Sequence, residues 1–335
     1  MNVTAGVVGF RGYSGAELVQ LLLRHDRVTP ILIEHRQDST ERPLPIGFAG
    51  PDRIGANVEA ITASGIQAVF LATPPEVSME LAPPLLERGV KVIDLSGAFR
   101  LRTTANYTRW YKEPHTAAAW LEKAVYGLPE FNRKQIPPAQ LLSNPGCYPT
   151  AANLAIAPLV RAGVVDRPAG IVCDAKSGVS GAGRKPSLKT SFCEVTENFA
   201  AYSILDHRHV AEVLMVSGLE EAEFSFTAQL IPCDRGILET IYFRAPRLKD
   251  PAELANIYLS AYKNEPFVRI YPPGVTPDLH SVLRTNCCDI GFKFDPATGR
   301  GVVVAAIDNL VKGAAGQAIQ NMNLMFGFEE TVGLL

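Results

Sequence analysis

Val3-Thr4-Ala5-Gly6-Val7-Val8-Gly9-Phe10-Arg11-Gly12-Tyr13-Ser14-Gly15 decides the fold. A short apolar run of strand length leads into three glycines spaced three apart. Ala16-Glu17-Leu18-Val19-Gln20-Leu21-Leu22-Leu23 then follows with helical periodicity. Strand, glycine turn and helix in this order open a dinucleotide-binding unit. The glycines allow a tight turn and let a pyrophosphate reach the free N–H groups of the helix N-terminus. The spacing departs from G-x-G-x-x-G, so the context carries more weight than the string; the plainer alternative is an ordinary tight turn.

Outward from this stretch, Thr29–Ile33, Ala68–Ala72 and Val90–Leu95 read as further buried strands. A helix is expected from Val77 to Glu87, after the turn Thr73-Pro74-Pro75. Alternating short strands and helices imply a parallel sheet with crossover helices. Beyond residue 147 the pattern changes. Gly170–Ala175, Glu223–Leu230, Ile237–Phe243 and Gly301–Ile307 read as longer strands, several with the alternation of half-buried antiparallel strands. Lys312 to Phe326 reads as a closing helix. The expected fold class is α/β: a Rossmann-type unit over 1–146, an α+β catalytic and oligomerisation unit with a mixed, largely antiparallel sheet over 147–311, and a C-terminal helix, 312–335, packing back on the first.

The 335 residues carry a net charge of −2 and no long run of one sign. That balance gives no support for nucleic acid or an acidic membrane as partner. The apolar stretches are too short to span a bilayer, and no export signal is visible at the start. The six cysteines form no Cys-x-x-Cys pair, so neither zinc nor a disulfide framework is expected. These features point to a cytoplasmic protein with reduced thiols.

Cys147 is the strongest chemical candidate. In Ser143-Asn144-Pro145-Gly146-Cys147-Tyr148-Pro149-Thr150 it sits between a turn-forming glycine and a proline suited to the first turn of a helix. A cysteine at a helix N-terminus is favoured as thiolate, and the N–H groups there suit an oxyanion on a carbon bonded to sulfur. The plain alternative is a buried, inert thiol. His207-Arg208-His209 with Glu212 is the second cluster. Asp206 or a neighbour would cap a helix from Val210 to Val216, and Glu212 lies three positions from His209, placed to orient an imidazole. With a thiolate in the same unit, a Cys–His pair outweighs an exposed basic patch. Ser177-Gly178-Val179-Ser180-Gly181-Ala182-Gly183-Arg184 is a loop whose backbone suits an anion, or a flexible surface loop. Arg100 follows the fourth strand, as a carboxylate or phosphate anchor or as a surface arginine. At the end of the second strand, Glu34 favours a ribose 2′-OH and hence NAD. Arg36 with Ser39 and Thr40 favours a 2′-phosphate and hence NADP.

Together these strings resemble the N-acetyl-γ-glutamyl-phosphate reductases. Asn-Pro-Gly-Cys-Tyr-Pro-Thr (Asn144–Thr150), Ser-Gly-Val-Ser-Gly-Ala-Gly-Arg (Ser177–Arg184) and Lys-Gly-Ala-Ala-Gly-Gln-Ala (Lys312–Ala318) carry the resemblance, with Gly9–Glu17, Asp94–Leu101, Tyr126–Glu130, His207–Glu212 and Arg235–Ile237. It runs from the first strand to the last helix. It implies an NADPH-dependent reductase with a fold similar to glyceraldehyde-3-phosphate and aspartate-semialdehyde dehydrogenases, no metal, and homo-oligomers. On the resemblance, Cys147 is the nucleophile and His207 and His209 are the paired histidines. Arg100, Glu212, Ser180 and Arg184 would meet substrate. Gly9, Gly12, Tyr13, Ser14, Gly15, Arg36, Ser39, Asn309, Lys312 and Gly313 would hold the cofactor. Two departures stand out. Val210-Ala211 replaces a frequent proline after the second histidine, and Gln229 stands where the family often has histidine. The second leaves room for the one-carbon-longer aminoadipyl substrate. The same strings also admit an aspartate-semialdehyde dehydrogenase-like reductase, or a non-catalytic NADP-binding regulator.

Overall fold

The computed structural model describes residues 2–35 and 50–335. They form two compact units. The first contains residues up to Tyr107, Glu113–Asn144 and Ala318–Leu334; the second contains Thr108–Lys112, Pro145–Gln317 and Leu335.

The first unit holds a sheet of β1 (Val3–Val8), β2 (Val28–Glu34), β3 (Arg53–Gly55), β4 (Ala68–Leu71), β5 (Lys91–Asp94), β6 (Val125–Tyr126) and β7 (Leu141–Ser143). Its order is β3-β2-β1-β4-β5-β7-β6, and every neighbouring pair is parallel. β1 and β4 are buried almost throughout, as parallel strands covered on both faces are. From β1 the chain builds β2 and β3 on one side, then returns to build β4 on the other. The carboxyl ends of β1 and β4 are therefore the switch point where ligands of such sheets bind. Gly9 lies there with φ +80, and a Cβ on it would stand 2.2 Å from the Ala72 carbonyl oxygen. The helix that follows runs Tyr13–Leu22, starting earlier than the apolar periodicity suggests because Gly12 is its cap.

The second unit holds β8 (Ile171–Ser177), β9 (Ala200–Tyr202), β10 (Phe224–Leu230), β11 (Ile237–Arg244), β12 (Val268–Ile270), β13 (Cys288–Asp295) and β14 (Arg300–Ile307), in the order β12-β13-β14-β11-β8-β10-β9. β8 pairs with β10, and β12 with β13, in parallel; the other pairs are antiparallel. Alternate residues of β8, β10 and β11 are buried, which leaves one half-covered face. The helix Cys147–Arg161 is buried from Tyr148 through Leu159 and contacts β11, β13 and β14. Pro158 lies inside this helix and cannot donate to the Leu154 carbonyl. The Tyr262 hydroxyl donates to that carbonyl instead, at 2.6 Å. Burial from Tyr148 onward leaves Cys147 as the one residue of the helix's first turn that emerges.

Candidate active site

Cys147 is the first residue of its helix, with Gly146 as an extended cap at φ −67 and ψ 154. This is the placement its local sequence predicts. Cys147 keeps its thiol outside any disulfide and is of intermediate exposure, whereas Tyr148 behind it is buried. Three groups of the second unit hold the cysteine's turn. The Gly146 N–H donates to Glu212 Oε2 at 2.9 Å, and Thr150 Oγ1 donates to the Gly146 carbonyl at 2.9 Å. Gly313 is the third: a Cβ there would stand 2.8 Å from Cys147 Cβ. Gly313 belongs to a π-helical segment, Val311–Ala315, that precedes the helix Gly316–Phe326. π-Turns of this kind cluster at functional sites.

The histidines face the same place. His207, His209 and Cys147 all line one cavity of about 680 Å³, together with Trp110, Tyr148, Ser177, Tyr202 and Arg208. The His207 and His209 ring centroids are 4.7 Å apart. Both stand edge-on to the Tyr148 ring, at 5.5 Å and 6.0 Å. The His209 N–H donates to His207 Nδ1 at 3.2 Å. A backbone N–H can only donate, so neutral His207 carries its proton on Nε2. Burial, and after it the Arg208 cation, lower the His207 pKa from 6.5 to about 4. The ring is thus neutral near pH 7, with an Nε2–H to offer.

Tyr148 and Tyr202 complete the frame. Their hydroxyls lie 3.1 Å apart, and Tyr148 also donates to the Gln229 carbonyl at 3.3 Å. Burial raises the Tyr148 pKa, as do Tyr202 and the adjacent Cys147, so this hydroxyl stays a donor. Sequence reasoning missed Tyr148, Tyr202 and Trp110 as parts of the site. Tyr148 sits inside the string that flagged Cys147, but nothing local ties it to Tyr202.

Several expected site residues also make contacts within the protein. Glu212 is fully buried, and its carboxylate accepts from the Gly146 N–H, which positions the Cys147 turn. The helix after the histidines runs Val210–Ser217 and is capped by His209, without a side-chain cap from Asp206. Ser180 is buried and accepts from Asn309 Nδ2 at 3.0 Å while donating to the Asp234 carbonyl at 2.6 Å. Asn309 Oδ1 in turn accepts from the Gly236 N–H at 2.7 Å. Lys312 is fully buried, its ammonium 5.6 Å from the Phe267 ring centroid. Asn309, Lys312 and Gly313, expected on the cofactor, thus also pack against the protein itself. Arg184 is exposed, and the cavity is lined by Gly181 and Ala182 of its loop. Gln229 Nε2 donates to Asp174 Oδ1 at 2.5 Å. The cavity draws on its neighbour Leu230 instead.

In the first unit, Arg100 is 6% exposed, with Nε bonded to the Asn144 carbonyl at 2.8 Å and Nη2 to the Leu95 carbonyl at 2.9 Å. That makes it a brace beneath the carboxyl ends of β5 and β7. Gly9, Gly12 and Gly15 form the turn foreseen for a dinucleotide, with Tyr13 and Ser14 in the first turn of the helix. A Cβ at Gly15 would lie 2.3 Å from the Gly9 carbonyl oxygen. At Gly12 it would meet only that oxygen, at 3.4 Å. Packing therefore demands glycine at 9 and 15. At Gly12 packing makes no such demand, and the first N–H groups of a helix are the kind of site that suits a pyrophosphate. Glu34 accepts from Arg11 Nη2 at 2.8 Å and from Arg53 Nη1 at 3.5 Å. Arg36 and Ser39 lie outside the described residues.

Residues 4–139 match the NAD binding domain of semialdehyde dehydrogenase, and residues 147–309 match the semialdehyde dehydrogenase dimerisation domain. The chain is 46% identical to N-acetyl-gamma-glutamyl-phosphate reductase of Desulforudis audaxviator, over 99% of this chain and 98% of that relative. It is 46% identical to the reductase of the same name from Geobacillus stearothermophilus, over 100% of this chain and 98% of the relative.

The chain belongs to the N-acetyl-gamma-glutamyl-phosphate reductase family.

Among solved structures, aspartate semialdehyde dehydrogenase II from Vibrio cholerae aligns over 98% of this chain and 99% of its own, with a TM-score of 0.70 at 17% identity. The Candida albicans aspartate semialdehyde dehydrogenase solved with NADP aligns over 97% and 99%, with a TM-score of 0.65 at 17% identity. These likenesses show the shared fold. The family is one of nicotinamide-dinucleotide oxidoreductases. Among the described residues, no helix is long and apolar enough to cross a membrane. No group of three His, Cys, Asp or Glu among them is placed to hold a metal ion.

Proposed function

We propose that this protein reduces N-acetyl-γ-glutamyl phosphate to N-acetylglutamate 5-semialdehyde, using NADPH and releasing phosphate, through a thioester on Cys147. The observation that carries this reading is one cavity lined by a helix-start cysteine and by His207, whose pinned Nδ1 leaves Nε2–H as a donor. The Cys147 thiolate, favoured by the helix N-terminus, adds to the acyl carbon and phosphate departs with the C–O bond. NADPH, when bound, supplies the hydride. His207 Nε2–H donates to the carbonyl oxygen, on which negative charge gathers as sulfur adds and again on reduction. Expulsion of the thiolate then frees the aldehyde. His209 holds the His207 ring, and Glu212, Thr150 and Gly313 hold the turn that aims the sulfur.

Residues 1–146 hold the cofactor, with Gly9, Gly12, Tyr13, Ser14 and Gly15 around the pyrophosphate. NADP is the reading at the end of β2. Arg11 and Arg53 already occupy the Glu34 carboxylate. That leaves a cationic neighbourhood for a 2′-phosphate, with Arg36 and Ser39 as the direct contacts. The protein works in the cytoplasm as a homo-oligomer.

The reverse reaction tests this function. Purified protein is given NADP⁺, phosphate and N-acetylglutamate semialdehyde, or N-acetylaminoadipate semialdehyde in parallel. Reduction of NADP⁺ with the first aldehyde is expected, and a clear preference for the second would overturn the glutamyl reading. Cys147→Ser should abolish turnover while NADPH binding stays within about twofold; turnover near that of the parent would remove the thioester step. Arg36→Ala should weaken NADPH by about tenfold or more, a lost charge-assisted bond, and NADH much less. An unchanged preference would take Arg36 out of the 2′-phosphate role.

A further inference from the structure

The Cys147 cavity has a second feature that the thioester chemistry does not use. Arg208 lies between the two histidines in sequence and lines the same cavity. Its guanidinium carbon lies 5.5 Å from the centroid of the Tyr111 ring. The neighbouring Trp110 lines the cavity as well. Both aromatic residues belong to the short segment Thr108–Lys112 of the second unit. That segment is tied down where Arg109 pairs with Glu221. The Arg208 cation lies close enough to hinder protonation of His207 and to favour ionisation of Tyr202. The guanidinium is therefore parked on an aromatic face beside the reacting groups, which limits the freedom it loses when an anion arrives.

Resting on the reading that the substrate is an N-acylated acidic amino acid activated at its side-chain carboxyl, we propose that Arg208 binds the free α-carboxylate of that substrate, with Trp110 covering the chain between carboxylate and nucleophile. A planar guanidinium grips a carboxylate through two parallel N–H bonds, and Arg is the side chain suited to that geometry. Lys189 also lines the cavity, but it rides on the short exposed turn Leu188–Thr190 and offers a point charge in place of a fork. Glu194 and Asp206 line the cavity too and repel a carboxylate that is not gripped. Arg208 then sets which acyl groups reach Cys147, while the histidines act on whatever arrives.

The test uses the reverse reaction with two aldehydes that differ only in the carboxylate: N-acetylglutamate semialdehyde and 4-acetamidobutanal. The parent protein should prefer the first by about 100-fold in kcat/KM, the scale of a charge-assisted pair. Arg208→Ala should lose about that factor on the carboxylated aldehyde and less than about threefold on the other, so the preference collapses. Arg208→Lys should restore part of it. The KM for phosphate should stay within about twofold of the parent's. Equal losses on both aldehydes would overturn the proposal and make Arg208 a residue acting through His207 or Tyr111. A raised phosphate KM with the preference intact would make it the phosphate site and overturn it equally. Loss of the preference in Lys189→Ala in place of Arg208→Ala would move the carboxylate to Lys189. Should the parent ignore N-acetylglutamate semialdehyde altogether, the glutamyl reading itself fails, which is seen before any variant is made.

Discussion

His207 owes its state to one backbone donor and to burial. The His209 N–H occupies Nδ1, so the ring's proton sits on Nε2. Burial, then Arg208, bring its pKa from 6.5 to about 4. The folded value lies below the unfolded one, so between those pH values the unfolded chain binds more protons. This group's contribution to stability is fully present above pH 6.5 and is lost as pH falls toward about 4. Its size is on the order of 3 kcal/mol, at 1.36 kcal/mol per pKa unit. His207→Gln should therefore flatten the fall in melting temperature between pH 6.5 and 4, and an unchanged slope would show that other groups cause it. At this scale the local strings were legible. Cys147, His207 and His209 could be picked out because cap, proline and paired imidazoles are near neighbours in sequence. The buried partners were not. No letter near them shows that Asn309 ties Ser180 to Gly236 or that Lys312 is fully buried beside Phe267.

The helix Cys147–Arg161 shows how an element is held in place for a residue at its tip. Pro158 deletes the N–H that would serve the Leu154 carbonyl, and Tyr262 replaces it. The neighbouring Tyr258 hydroxyl bonds the Ala155 carbonyl at 2.6 Å, but that carbonyl keeps the helical register of Leu159 N–H. Tyr262→Phe should therefore destabilise the protein by about 1–3 kcal/mol, the scale of a buried acceptor left unpaired. Tyr258→Phe should cost about 1 kcal/mol, an ordinary hydrogen bond. Chemical denaturation measures both, and equal losses would deny the special status of Leu154. Elements with clear periodicity were readable from sequence: β1, β4, β8, β10, β11, β14 and the final helix. β13 escaped because Asp289 and Gly291 interrupt its apolar pattern. In the fold Asp289 is buried against Arg269, whose Nη2 lies 2.9 Å from Oδ2, and a Cβ at Gly291 would strike the Val275 carbonyl oxygen at 2.4 Å. Those reasons are tertiary.

At the scale of the whole molecule there are two units, each with its own sheet. The second matches a dimerisation domain and leaves apolar side chains in the open, among them Leu188, Phe192 and Leu205 at 76%, 81% and 63% exposure. Large apolar side chains left in the open on a dimerisation domain fit a surface that a second copy covers. Sedimentation at micromolar concentration should give a mass at least twice the 36.3 kDa of one chain. A monomer under assay conditions would contradict the homo-oligomer. The order of residues alone determined the strand–glycine–helix opening, the cysteine at a helix start and the histidine pair, because turns, caps and periodicity are written within a few positions. Only the tertiary structure decided that Glu212 steadies the Cys147 turn, that Asn309 braces Ser180, that Gly313 makes room for the Cys147 Cβ and that Arg208 shares its cavity. The first two of those contacts join residues 66 and 129 positions apart. Burial and hydrogen bonding between such distant positions exist only once the second unit has folded around its sheet.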